Sequence, residues 1–186
     1  MSPNLRRYTE VIFAFDRVVG AVGADQWDLD SPCEGWTVRD LVVHATGVVR
    51  MIHKYASSSE PRELPEGARA AWAEARDSVL EALNQPGVLD ATVTTPFGDM
   101  SVDNLIGLMF VDTVTHTWDL ARAVGGDEQL DSDSMAAADA VLRPMIDGLR
   151  RPGGYGPAIP TTPTDTDQDR FLKYVGRNPA WPVLLS

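Results

Sequence analysis

Apolar residues recur along this chain mainly at three- and four-residue intervals, the period of a helix with one buried face. Leu5, Tyr8, Ile12, Phe15 and Val19 predict a first helix over about 3–24, with Pro3 suited to its first turn. A polar stretch rich in Asp, Ser, Pro and Gly follows over 28–36. Thr37, with Asp40 three residues on, reads as the capped start of a second helix whose stripe is Leu41, His44, Val48, Met51 and Tyr55. Ser57-Ser58-Ser59 and Pro61 end it. A third helix over about 67–84 turns Trp72, Ala75, Val79 and Leu83 inward. The alternating, β-branched run 91–95 and the turn-forming Pro96-Phe97-Gly98-Asp99 predict a short hairpin or extended arm. Ser101 caps a fourth helix over about 102–124, stopped by Gly125-Gly126, and a fifth is predicted over about 132–149. The Pro- and Gly-rich segment 152–168 reads as an irregular surface arm, and 167–175 as a short final helix. The expectation is an all-α protein: an antiparallel four-helix bundle with a hairpin or arm and an extra C-terminal helix, forming one domain over 1–186.

Composition narrows the function classes. A 44% apolar content suffices for a core, and no run reaches the roughly 20 apolar residues that span a bilayer. The N-terminus has no apolar stretch leading to a cleavage site, so a cytoplasmic location without membrane contact is expected. A net charge of −11 repels phosphate backbones and argues against a nucleic-acid partner. The single cysteine, Cys33, permits no internal disulfide and fits a reducing compartment. Its acidic surroundings argue against a nucleophilic role.

Candidate chemistry rests on the histidines. His44 lies on the apolar stripe of the second helix. His53, nine residues later, falls about half a turn round and is expected at the solvent or the rim. On the fourth helix Leu105, Met109, Asp112 and His116 share a face, and Asp112 and His116 stand one turn apart. A carboxylate and an imidazole so placed can share a divalent ion with a histidine from a facing helix. They can equally bond each other on a solvated face, with His44 an ordinary core residue, and spacing alone leaves both readings open. Asp119 is read as a further ligand, an acceptor orienting an imidazole, or the ion-pair partner of Arg122 or Arg39. Trp36 reads as a lid on the core. Arg177 and Trp181 lie in a tail that docks on the bundle or offers an anion contact at the site mouth.

Three segments carry a resemblance. Pro32-Cys33-Glu34-Gly35-Trp36-Thr37-Val38-Arg39-Asp40-Leu41-Val42-Val43-His44 is similar to the signature of the mycothiol-dependent maleylpyruvate isomerase N-terminal family, within the DinB-like metal-binding helix bundles. Residues 112–125, from Asp112 through His116 and Asp119 to Gly125, resemble its second signature. The ending 171–179 resembles an actinobacterial branch of uncharacterised metal-binding members. The resemblance implies that His44, Asp112 and His116 hold a divalent metal, Zn or Ni above others. Asp112 stands where the isomerase has a glutamate and other bundles often a histidine. It also implies a low-molecular-weight thiol such as mycothiol, and a small-molecule electrophile that is conjugated or isomerised. Isomerase-type proteins carry a separate C-terminal domain that this sequence does not, which counts against that isomerase's own reaction. The alternative is a non-catalytic bundle binding a metal or small ligand, as a sensor or a homodimeric partner.

Overall fold

The computed structural model describes residues 1–57, 59–150 and 154–182. Ser58, read as part of a helix end, and residues 152–153 of the expected arm lie outside the described residues. The described residues are mostly helical, with a two-stranded sheet. In chain order they form α1 (Pro3–Ala21), α2 (Val38–Ala56), α3 (Ala68–Leu83), β1 (Thr92–Thr95), β2 (Gly98–Ser101), α4 (Val102–Val124), α5 (Ser132–Leu142), α6 (Ile146–Leu149) and α7 (Asp167–Tyr174).

Local chemistry sets most of the boundaries. Ser2 accepts from the Leu5 amide at the head of α1. Thr37 and Asp40 form a reciprocal capping box at the head of α2, and Thr166 and Asp169 do the same for α7. The Ser101 side chain accepts from the Asn104 amide and opens α4. The hairpin pairs antiparallel with Thr92 opposite Ser101 and Thr95 opposite Gly98, leaving Pro96-Phe97 as the turn.

Two boundaries differ from the sequence reading. α1 stops at Ala21 rather than near 24, because the chain leaves helical geometry at Val22 and Gly23 then turns through its bond to Gln26. The fifth helix is broken in two: α5 ends at Leu142, and Pro144, with no N–H to donate, separates it from the single turn of α6.

α4 is the central element. It is buried on almost every side from Phe110 to Ala121, and packs against α1, α2 and α5, while α2 also packs on α3. Phe15 and Trp72 meet edge to face at 4.7 Å where α1 and α3 converge. The buried face of α2 centres on Leu41, Val42, Ala45, Val49 and Ile52. His44, Val48, Met51 and Tyr55 therefore form its half-buried edge, not its middle. That edge placement lets His44 reach a cavity instead of vanishing into the core.

His53 departs from expectation. It lies in line with Thr46 and Val49 at helical spacing and is only 7% exposed, in the α2–α3 contact. Its Nδ1 sits 3.1 Å from both the carbonyl and the hydroxyl of Ser78. Half a turn from His44 is the α3 side of the helix rather than solvent.

Candidate functional site

A cavity of about 830 Å³ opens where the 30–37 loop, α2, α4 and the segments around 155 and 177 meet. The loop is closed on itself by Ser31 N–H donating to the Trp36 carbonyl at 2.9 Å. Gly35, at φ +77°, takes the left-handed place in the Cys33–Trp36 turn. This turn fixes Cys33 and Trp36 at the cavity wall. On the opposite rim Gly156 and Gly176 approach so closely that a Cβ on Gly176 would lie 2.7 Å from the Gly156 backbone. Position 176, also at φ +79°, therefore requires glycine, and the contact brings Tyr155 and Arg177 to the same cavity.

The three side chains singled out from the sequence come together here. His44 Nε2 lies 3.3 Å and His116 Nε2 3.5 Å from Asp112 Oδ1. One ligand atom from each residue falls within 4.8 Å of the others. Ligand atoms about 2.0–2.1 Å from a tetrahedral ion lie roughly 3.3–3.4 Å apart, so the two measured separations match the edges of such a site. Two imidazole nitrogens and one carboxylate oxygen also suit Zn or Ni. The residues present therefore fit a divalent ion. The Trp36 indole stacks on the His116 ring at 6.0 Å and 19°, and lies 5.0 Å from the His44 ring. It covers the imidazoles themselves, a more specific position than a lid on the core.

Behind this cluster His116 turns its other nitrogen to a second set of groups. Its Nδ1 is 2.9 Å from Asp119 Oδ2. Asp119, fully buried, accepts from Arg177 Nε and Nη2 at 3.0–3.3 Å. The Cys33 thiol donates to the same Asp119 oxygen at 3.2 Å and accepts from Arg177 Nη2 at 3.2 Å. Asp119 thus serves as an acceptor orienting the imidazole, and its cationic partner is Arg177. The partners considered from the sequence pair elsewhere, Arg39 with Asp28 and Arg122 with Glu128. Cys33, His116 and Asp119 also lie close enough to share an ion, but the Arg177 guanidinium already supplies the positive charge there.

The electrostatics follow from this pairing. Burial pushes the His116 imidazole down, but Asp112, Asp119 and Cys33 outweigh it and hold its pKa well above the usual histidine range. Burial raises the Asp112 carboxyl, and His116 and His44 more than reverse this, leaving it well below the usual range. Asp119 is likewise raised by burial and drawn down, chiefly by Arg177, to about 2. Tyr155 is pushed up to about 12 by burial and by the charge of Asp112. Periodicity could not find Cys33, Tyr155 or Arg177, since all three lie outside helices; the pairing of a cation with an indole near the C-terminus was the one available hint.

Residues 8–64 match the family described as Mycothiol maleylpyruvate isomerase N-terminal domain. Uncharacterized protein Rv0738 of Mycobacterium tuberculosis (strain ATCC 25618 / H37Rv) is 32% identical over 169 residues, covering 88% of this chain and 92% of that protein. Uncharacterized protein MT0763 of M. tuberculosis (strain CDC 1551 / Oshkosh) matches to the same extent. No solved structure matches the chain. With the matched segment running through the capped turn and His44, and with relatives similar over nearly their whole length, the chain belongs to the mycothiol maleylpyruvate isomerase N-terminal domain family.

Proposed function

We propose that this protein binds one divalent metal, Zn or Ni above others, through His44, Asp112 and His116. We further propose that it acts as an enzyme of low-molecular-weight thiol chemistry, conjugating or isomerising an electrophile. The observation that carries the reading is the convergence of His44 Nε2 and His116 Nε2 on Asp112 Oδ1 at 3.3 and 3.5 Å, at the wall of a cavity large enough for a small molecule. The family supports mycothiol or a similar thiol as the co-substrate. The packing of α1 on α3 and α4, and of α2 on α3 and α4, supports a four-helix bundle of the DinB-like kind. It is not antiparallel throughout, since Asn4 meets Asp103 at one end and Gln26 meets Val124 at the other, so α1 and α4 run parallel. The same reading takes 1–186 as one domain working in the cytoplasm; no helix among the described residues is long and apolar enough to cross a membrane.

A bound divalent ion lowers the pKa of a thiol beside it, supplying a thiolate at neutral pH. The chain's own residues do the rest. Asp119 accepts from His116 Nδ1–H, which leaves Nε2 free as a ligand and fixes the ring plane. Arg177 keeps Asp119 ionised in the core. Trp36 shields one side of both imidazoles from water. Tyr155, protonated at neutral pH, offers a hydrogen-bond donor from the cavity wall to charge developing on the electrophile.

The test is elemental mass spectrometry on the wild type and His116→Ala, followed by assays pairing thiols with a panel of electrophiles. Stoichiometric Zn or Ni, lost in His116→Ala, together with thiol- and metal-dependent turnover, is the expected result. Metal without turnover replaces the enzyme with a non-catalytic binding protein. No metal after incubation with Zn or Ni overturns the reading.

A further inference from the structure

A groove of about 960 Å³ runs over the surface where α1, α4 and the segment leading into α5 meet. Its floor includes the buried Val11, Val114 and Leu130. Its two sides carry opposite charge: α1 brings Arg6, Arg7 and Arg17 to one, and the 127–133 segment brings Asp127, Asp131 and Asp133 to the other. Val114 is two residues from both Asp112 and His116, about 200° round α4 from each, so the groove faces away from the metal cluster. We propose that this groove is a dimerisation surface. A second copy of the chain docks on it about a twofold axis, with the arginine side of each copy against the aspartate side of the other. The inference does not depend on the metal-binding reading.

Charge complementarity carries the assignment. Among the described residues no ion pair spans the groove. Arg6 is paired with Glu10 on its own helix at 3.3 Å. Arg7 lies over the Phe110 ring at 5.5 Å, and neither it nor Arg17 forms an ion pair among the described residues. Asp131 and Asp127 accept from the nearby amides of Ser134 and Gln129, and all three aspartates are exposed, as is Arg17. Opposite charges held apart across a hydrated groove gain little from one another. A partner of one sign would be drawn to one side of the groove and repelled by the other. A second copy presents both signs together, and a twofold axis sets arginines against aspartates in two equivalent places, the self-complementary pattern of an isologous dimer. Phe13, 43% exposed on the arginine side, is the aromatic anchor that docking removes from water. With a net charge of −11, two copies repel on average, so they can associate only at a face where the signs match.

The experiment is sedimentation velocity on wild type, on Arg7→Glu/Arg17→Glu and on Asp127→Lys/Asp133→Lys, with the two variants run alone and mixed in equal amounts. Wild type is expected to sediment as a dimer that weakens as salt is raised. Each variant alone sets like charge against like charge at both contacts, and its dimer dissociation constant should rise at least about a hundredfold. The mixture restores opposite charges at both contacts and should sediment as a dimer again. Circular dichroism checks that each variant is folded. If a double variant is not, the single changes Arg17→Glu and Asp133→Lys, both at exposed side chains, take its place. A wild type that stays monomeric at its highest soluble concentration overturns the proposal. A dimer that survives in both variants also overturns it, since the contact then lies elsewhere. So does a mixture of folded variants that stays monomeric.

Discussion

Helix α2 carries two histidines on opposite sides, and the regions they enter differ in kind. His53 enters the contact with α3, where its neighbours within hydrogen-bond distance are the neutral carbonyl and hydroxyl of Ser78. His44 enters the space beside α4, where a carboxylate, a second imidazole and an indole converge on it. His53 is the more deeply buried of the two, yet its hydrogen-bond neighbours are neutral. Burial alone therefore does not mark a functional histidine. Here the mark is the arrival of charged groups from separate parts of the chain, with Arg177 and Asp119 completing a set that begins at Asp112.

The comparison is broken most forcefully at Arg177. Arg177→Met removes the guanidinium from Asp119 and leaves its carboxylate in the core with only the His116 imidazole and the Cys33 thiol as donors, and a loss of about 3–5 kcal/mol is expected in urea denaturation. A loss below about 1 kcal/mol would mean that Asp119 finds another partner. Next comes His44→Ala, which removes one of the three proposed ligands, a side chain that is a third exposed. Zinc affinity should fall at least about a hundredfold, roughly 3 kcal/mol, with little change in metal-free stability, as read by chelator competition and thermal melts.

A pH series sharpens the contrast at intermediate size. Ion and protons compete for the imidazoles, so zinc affinity should rise with pH. Because Asp112 holds His116 protonated beyond the usual range, the rise should continue above neutrality. In the metal-free protein the raised His116 stabilises fully below the unfolded value of about 6.5 and loses this as pH climbs through its folded value. Asp119, lowered to about 2, stabilises above about 3.9 and loses this as pH falls toward 2. The metal-free melting temperature should therefore peak between about pH 4 and 6.5, and zinc should widen its advantage on the alkaline side.

The smallest effect is expected at His53. His53→Leu replaces a buried ring with an unpartnered Nε2 by an apolar side chain, so stability should change by no more than about 1 kcal/mol. Zinc affinity should not change. A tenfold loss of zinc affinity in this variant would erase the distinction between the two faces.

Much of this frame was legible because its signals are local. The Thr37–Asp40 box, the Ser101 cap and the apolar spacing of α1, α3 and α4 each lie within a few residues of what they determine. Pro144 was equally visible and should have divided the fifth helix. His44, Asp112 and His116 could be singled out because two share a helix face and the third lies on a stripe, but that spacing leaves a metal site and a solvated pair equally open, and the family resemblance is what implies them as ligands. Their meeting with Cys33, Tyr155 and Arg177 could not be read in that way. It depends on where a loop turn and a Gly156–Gly176 contact place non-helical segments, and no periodicity encodes that. His53 escapes the periodicity for a related reason: helix α2 has packing partners on two sides, α4 and α3, so the face opposite His44 is buried as well.

The stacking of Trp36 on His116, with His44 alongside, gives the molecule an optical reporter. A protonated imidazole in contact with an indole accepts its excited electron and quenches its emission. As acid protonates these rings, emission from Trp36 should dim; as zinc takes up their lone pairs and displaces the protons, it should brighten. Four other tryptophans supply a steady background, so the change is a partial one, carried by a single fluorophore and absent from Trp36→Phe. Occupancy of the cluster can thus be followed in real time, without label or added dye, by the light of a residue that holds no ligand atom.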